Sequence, residues 1–322
     1  MGFDLGFGNM SRQAMETEMW ELYNTYRHQI WLACPLIPIV MLFVLPGVLL
    51  AMIYISALFL QIYRRYYVEE CQKEPKFWNK ARYMLSLLWD AYGWIYYGYE
   101  IEGLENIPDK GPAVIIFYHG ALPMDWYFMI CRCLLIKKRM MVSVADRILF
   151  KVPGWGLLLE TSRVIPGTSE DCVNVLKNGD LLCLSPGGLR EAQFGSENYK
   201  LMWGNRCGFA RVALEAKVPV IPVFTRNIRE TFSTLKIFQK WQRRVYEESR
   251  YPTAPLYGGF PVKLKTFIGQ PIPYDPSISA EELTIKAKES MERMILTHQR
   301  LPGSIFHALL QRIKDFAKYK YV

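Results

Sequence analysis

The run from Ile30 to Ile62, "IWLACPLIPIVMLFVLPGVLLAMIYISALFLQI", contains no charged residue. About 20 consecutive apolar residues are enough to cross a bilayer as a helix, and as a core helix this run would have to be buried on every side. It starts too far into the chain, and lacks a following small-residue cleavage site, to read as a signal peptide. Two arrangements fit: one tilted span kinked at Pro46, or a hairpin turning at Pro46-Gly47 with arms of about 24 Å at ~1.5 Å per residue. Arg27 and His28 precede the run and Arg64-Arg65 follow it. Positive charge at both ends favours placing both on the cytoplasmic side. The expected element is therefore a membrane hairpin over about residues 30–62, within an anchoring segment of residues 1–72. A cytoplasmic N-terminus leaves the sequon at Asn9 unused, and Gly2 lacks the Ser or Thr at position 6 that a myristoylation signal needs.

Composition agrees with a membrane-associated chain. Of the 322 residues, 51% are hydrophobic and 14% aromatic, an aromatic content that suits contact with a bilayer interface. A net charge of +9 points to an anionic partner. With no nucleic-acid module in the sequence, a lipid surface or lipid substrate is the expected partner rather than nucleic acid. The seven cysteines are odd in number and scattered, without zinc-type spacing. They read as free thiols, and no metal site is expected.

Residues 73–322 read as one α/β domain. After the polar stretch "VEECQKEPKFWNK", the segment "ARYMLSLLWDAYGWIYY" spaces its apolar residues as an amphipathic helix. Strand candidates then follow at "YGYEIEG", "AVIIFYH", "MMVSVA", "DLLCLS", "VPVIPVF" and "VKLKTFIG". Helical patterns lie between them at about Asp125–Ile136, Ser169–Lys177 and Gly208–Glu215. This alternation predicts a mostly parallel sheet flanked by helices. Ser279 to Glu282 forms a capping box for a helix running to about Gln299, and a basic helix ends the chain.

In open α/β sheets, ligands bind at the carboxyl ends of the strands. His119 lies there if "AVIIFY" is a strand, and Pro123 suits the first turn of the next helix. Asp125 falls in that first turn, where the helix dipole favours a carboxylate. On one continuous helix the two residues would sit about 120° out of phase, so the loop between them is needed to bring Asp125 back to His119. Such a pair is a general base with its orienting carboxylate, or a structural histidine beside a helix-dipole aspartate. The block "SPGGLREA" from Ser185 to Ala192 follows another strand. Its Gly187-Gly188 turn exposes backbone N–H groups that can receive an anion or oxyanion. Arg190 and Glu191 sit beside it, able to bind a phosphate or hydroxyl. Arg206 opens a later helix and is a further candidate for an anion, as is Arg163. Lys137-Lys138-Arg139 reads as a solvated or membrane-facing basic patch.

In order and spacing, the His119–Asp125 pair, "SPGGLREA" and "VPVIPVF" resemble the blocks of the glycerolipid acyltransferase superfamily. "GLENIPDKGPAVIIFYHG" and "FIGQPIP" extend the resemblance over roughly residues 99–275. Members typically carry His-x4-Asp, Phe-Pro-Glu-Gly-Thr-Arg and Val-Pro-x-x-Pro-Val. Here the His–Asp gap is one residue longer, and Gly187 and Leu189 stand in place of the Glu and Thr. The Pro-Gly-Gly form is closer to neutral-lipid acyltransferases of the diacylglycerol type. The resemblance implies an endoplasmic-reticulum enzyme with its catalytic domain facing the cytosol, transferring an acyl group from acyl-CoA or a membrane phospholipid to diacylglycerol. It implies His119 as base, Asp125 as its partner, and Gly187, Gly188, Arg190, Glu191 and Arg206 as substrate contacts, with no cofactor. A lysophospholipid acceptor is the alternative, and a catalytically inactive membrane scaffold a further one.

Overall fold

All six apolar runs expected as strands enter one sheet. The computed structural model describes residues 36–67, 77–236, 238–249 and 251–319, with scattered positions between 17 and 26. The strands of the main sheet are β1 (Glu100–Glu102), β2 (Ala113–Phe117), β3 (Met141–Val144), β4 (Val164–Ile165), β5 (Leu181–Leu184), β6 (Val220–Arg226) and β9 (Lys265–Ile268). Their spatial order is β1-β9-β6-β2-β5-β3-β4, and β6 with β9 is the one antiparallel pair. A separate hairpin pairs β7 (Phe232–Thr234) with β8 (Leu256–Gly258). Neither its strands nor the two-residue β4 carry enough periodicity to be read in advance.

Strand β2 is buried along its whole length, as a central parallel strand covered on both faces must be. The two-residue alternation divides it. Ala113, Ile115 and Phe117 pack with Met129, Ile130 and Cys133 of helix α3 (Met124–Lys137). Val114, Ile116 and Tyr118 face the opposite layer with Ala210, Ala213 and Met291. That second layer comes from α7 (Gly208–Ala216) and α10 (Ala280–His298). The box predicted at Ser279 is formed: its hydroxyl accepts from the Glu282 amide while the Glu282 carboxylate accepts from the Ser279 amide.

The expected hairpin is corrected. Helix runs through Leu36–Ile39, a π-helical turn at Val40–Val44 and α1 (Leu45–Tyr66), with right-handed helical dihedrals at the junctions. Pro46, which has no N–H to give the preceding turn, lies inside this continuous helix. Just before it, the Leu45 amide donates to the Val40 carbonyl across a wide π turn, which absorbs the irregularity that proline brings. The result is one rod about 46 Å long at ~1.5 Å per residue. A buried stripe of Leu49, Ser56, Ala57 and Leu60 fixes it to the domain. There the Trp89 indole of α2 (Trp78–Tyr97) donates to the Ser56 hydroxyl at 2.9 Å. Val48, Leu50, Ile55, Leu58 and Ile62 remain exposed. Among the described residues, α1 is the one helix long and apolar enough to cross a membrane. The expected boundary at residue 72, Asn9, Gly2, Cys34 and Cys71 lie outside the described residues. The other five cysteines are buried free thiols.

Candidate active site

Three adjacent parallel strands, β5, β2 and β6, end on the same side, and their following segments converge. After β2, Gly120 allows a tight loop: a Cβ there would lie 2.5 Å from Cγ1 of Ile228, on the segment after β6. His119 is half-buried beyond the strand end. Its Nδ1 lies 2.7 Å from the Gly120 carbonyl. That contact selects the tautomer with N–H on Nδ1 and leaves Nε2 as the basic nitrogen. Desolvation pushes the imidazole pKa down to about 4, against the opposing pull of the Gly120 carbonyl.

Asp125 sits in the first turn of α3, as its spacing predicted, and is buried. The expected hydrogen bond to His119 is not made, because the Gly120 carbonyl occupies Nδ1. Asp125 Oδ1 has no hydrogen-bond partner. Burial raises the carboxyl pKa to about 6, with the Thr225 hydroxyl of β6 pulling the other way. Thr225 is a neighbour that sequence reading missed.

After β5, Gly188 adopts φ +52°, a left-handed conformation that suits glycine. It opens the short helix α6 (Gly188–Phe194). Glu191 of that helix is completely buried. Its Oε2 accepts the His119 amide at 2.9 Å and its Oε1 accepts the Met202 amide at 3.0 Å. Burial raises its pKa to about 7, opposed by those two amides and by Arg229 and Arg206. Glu191, expected as a substrate contact, has both carboxylate oxygens engaged by backbone amides. It ties the β2 loop to the β5 turn.

Arg229 holds this junction from the other side. It is buried and donates to the carbonyls of Glu191, Ala192 and Gly195 and to the Tyr118 hydroxyl. The sequence offered no spacing signal for it. Only its place just past a third strand end could have marked it. Arg206 is exposed and donates to the Pro186 and Gly187 carbonyls, so its charge sits on the glycine turn.

Arg190 points elsewhere. It pairs with Glu247 at 3.4 Å on α9 (Gln239–Ser249) and lines a cavity of about 370 Å³ with Lys200, Arg243, Phe194 and Met202. Arg163 is committed to a two-pronged pair with Asp180. Of the basic patch expected to be solvated or membrane-facing, Lys137 and Arg139 clamp the loop before β2 through the Ile107, Pro108 and Gly111 carbonyls. Among the described residues, no group of His, Cys, Asp and Glu is arranged to hold a metal ion.

Residues 98–226 match the Acyltransferase family model. The chain is 46% identical over 301 residues to the "DGAT1/2-independent enzyme synthesizing storage lipids" of Bos taurus, covering 92% of this chain and 88% of that protein. The Homo sapiens protein of the same description is 45% identical over 298 residues, covering 92% and 90%. The chain belongs to this acyltransferase family. A solved 1-acyl-sn-glycerophosphate acyltransferase, PlsC of Thermotoga maritima, superposes with a TM-score of 0.49 at 18% identity, over 77% of this chain and 96% of that one. Arg229 of the acyltransferase lies just beyond the segment matched by the family model. The residues that brace its candidate site thus extend past that segment.

Proposed function

We propose that this acyltransferase is held in a membrane and moves a fatty acyl group onto the free hydroxyl of diacylglycerol, giving triacylglycerol. The observation that carries the reading is the junction of His119 with the Gly187-Gly188 turn on a single buried carboxylate. The description of its relatives as synthesizing storage lipids supports the neutral acceptor.

In this reading His119 Nε2 removes the proton from the acceptor hydroxyl as its oxygen attacks the acyl carbonyl. Asp125 stabilises the imidazolium, taking over the Nδ1 proton from the Gly120 carbonyl. Its unpartnered Oδ1 suits that task. The tetrahedral oxyanion is held by backbone amides at the Gly187-Gly188 turn, where the first amides of a helix lack intrahelical acceptors. Arg206 adds positive charge there. As the intermediate collapses, the C–S or C–O bond to the donor breaks, and the imidazolium returns its proton to the leaving thiolate or alkoxide. The donor is acyl-CoA or a membrane phospholipid, and no cofactor takes part.

The exposed apolar face of α1 lies in lipid, which would deliver both substrates laterally. Arg64 and Arg65 in its last turn support a cytosolic domain, and the endoplasmic reticulum is the membrane where such a lipid would be made. A lysophospholipid acceptor is the second reading. It is favoured by the three cations lining the cavity at Arg190, Lys200 and Arg243.

The test is to express wild type, His119→Ala and Asp125→Ala in cells lacking their own diacylglycerol acyltransferases and to profile neutral lipids and phospholipids. Triacylglycerol is expected to rise with wild type alone. A change confined to phospholipids would favour the second reading, and equal effects of all three proteins would reduce the chain to a scaffold.

A further inference from the structure

The buried carboxylate of Glu191 and the glycine at position 187 occupy one shared volume. An ideal Cβ built on Gly187 would lie 2.4 Å from Cδ, 2.5 Å from Oε2 and 2.6 Å from Cβ of Glu191. All three distances are far inside contact, and the glutamate cannot swing away cheaply, because both oxygens are bound by amides in the interior. Position 187 is not restricted by its own backbone: its φ of −73° and ψ of −32° are open to any L residue. The three nearest atoms that a side chain would meet there all belong to Glu191.

We propose that Glu191 is a positioning residue for His119, and that positions 187 and 191 form an exchangeable pair in which one carboxylate, from either backbone position, must hold the His119 amide. The proposal rests on the reading of His119 as the base. Oε2 fixes the peptide N–H of His119 itself, so it sets where the ring leaves the chain. The same carboxylate reaches the Met202 amide and spans the β2 loop, the β5 turn and the segment leading to Arg206. Arg229 supplies the compensating charge and secures the carbonyl of Glu191. The 2.5 Å from the ideal Cβ of residue 187 to Oε2 is the reach of an aspartate from Cβ to its carboxylate oxygen. An aspartate at 187 can therefore deliver an oxygen to the place where Oε2 now sits, provided position 191 is emptied. With Glu191 in its present place, glycine at 187 leaves the volume that the carboxylate fills.

The experiment compares full-length wild type with Glu191→Ala, Glu191→Gln, Gly187→Asp, the double variant Gly187→Asp/Glu191→Ala, and His119→Ala. Each is purified into phospholipid vesicles with diacylglycerol as acceptor and acyl-CoA added as donor, and kcat, KM and thermal unfolding are measured. Glu191→Ala should lower kcat on the order of 10²-fold, the scale expected for misplacing a reacting group by about 1 Å, with KM little changed. Glu191→Gln should fall between, since an amide oxygen can accept one N–H while its NH₂ faces the other. Gly187→Asp alone should fail, because two side chains compete for one space. The double variant should recover kcat to within about tenfold of wild type, short of full rate because the Met202 amide is served less well. If Glu191→Ala keeps wild-type kcat, or the double variant folds and is no faster than Glu191→Ala, the pairing is wrong. If His119→Ala keeps its activity, the base reading fails instead, and the positioning role fails with it. Should Glu191→Ala not fold, the step from wild type to Glu191→Gln and the double variant carry the same comparison.

Discussion

Burial works against a carboxylate that has to be charged to act. Asp125 is raised to about pH 6 and Glu191 to about 7, whereas His119 protonates only near 4. Acidification should therefore cut the acyl-transfer rate between about pH 7 and 5, well before the base itself is protonated. A pH–rate profile checks this, and Asp125→Asn should be slow and lose the part of the limb near pH 6. The sign for stability runs the other way. A carboxyl whose folded pKa lies above its unfolded value favours folding while protonated and loses that contribution as pH rises from about 4 to 6. Asp125→Asn should therefore be more stable than wild type above pH 6, by roughly 2–3 kcal/mol in thermal unfolding, while activity falls on the order of 10²-fold or more. At Gly188, the left-handed backbone predicts a loss of about 1–2 kcal/mol for Gly188→Ala, read by the same melts.

Helix α1 is the element whose form was least legible. A Pro-Gly pair in mid-run signals a turn, and here a π turn just upstream lets Pro46 stay inside a continuous helix. The signs that were legible are local ones. The box at Ser279, the helix start around Asp125 and the strand ending at His119 each depend on residues within a few positions. The features that escaped depend on distant partners: the Gly120 carbonyl competing for Nδ1, the reach of Thr225 from β6, and the clamp of Arg229. The packing of α1 gives its own test. Ser56→Val leaves the buried Trp89 indole N–H without its acceptor and should cost about 1–3 kcal/mol in thermal unfolding. Lysine at Ile55 and Leu58, on the exposed face, should leave the melting temperature in detergent nearly unchanged. The same pair of lysines should shift the protein from the membrane pellet to the carbonate-soluble fraction.

Across the whole molecule, the sheet brings together three strand ends that are far apart in sequence, and α1 is fixed along the side of the same domain. The candidate site and the apolar helix are thus packed into one structure, with Leu49, Ser56, Ala57 and Leu60 of α1 buried. The reaction proposed for this molecule is acyl transfer by His119 to a neutral glycerolipid. Its most direct measurement uses the full-length protein in vesicles containing labelled diacylglycerol, supplied with acyl-CoA in one arm and phospholipid alone in the other. Wild type should form labelled triacylglycerol in at least one arm, and His119→Ala, folded to the same melting temperature, should be slower on the order of 10²–10⁴-fold. Equal rates for the two proteins, or no triacylglycerol from wild type in either arm, would contradict the account.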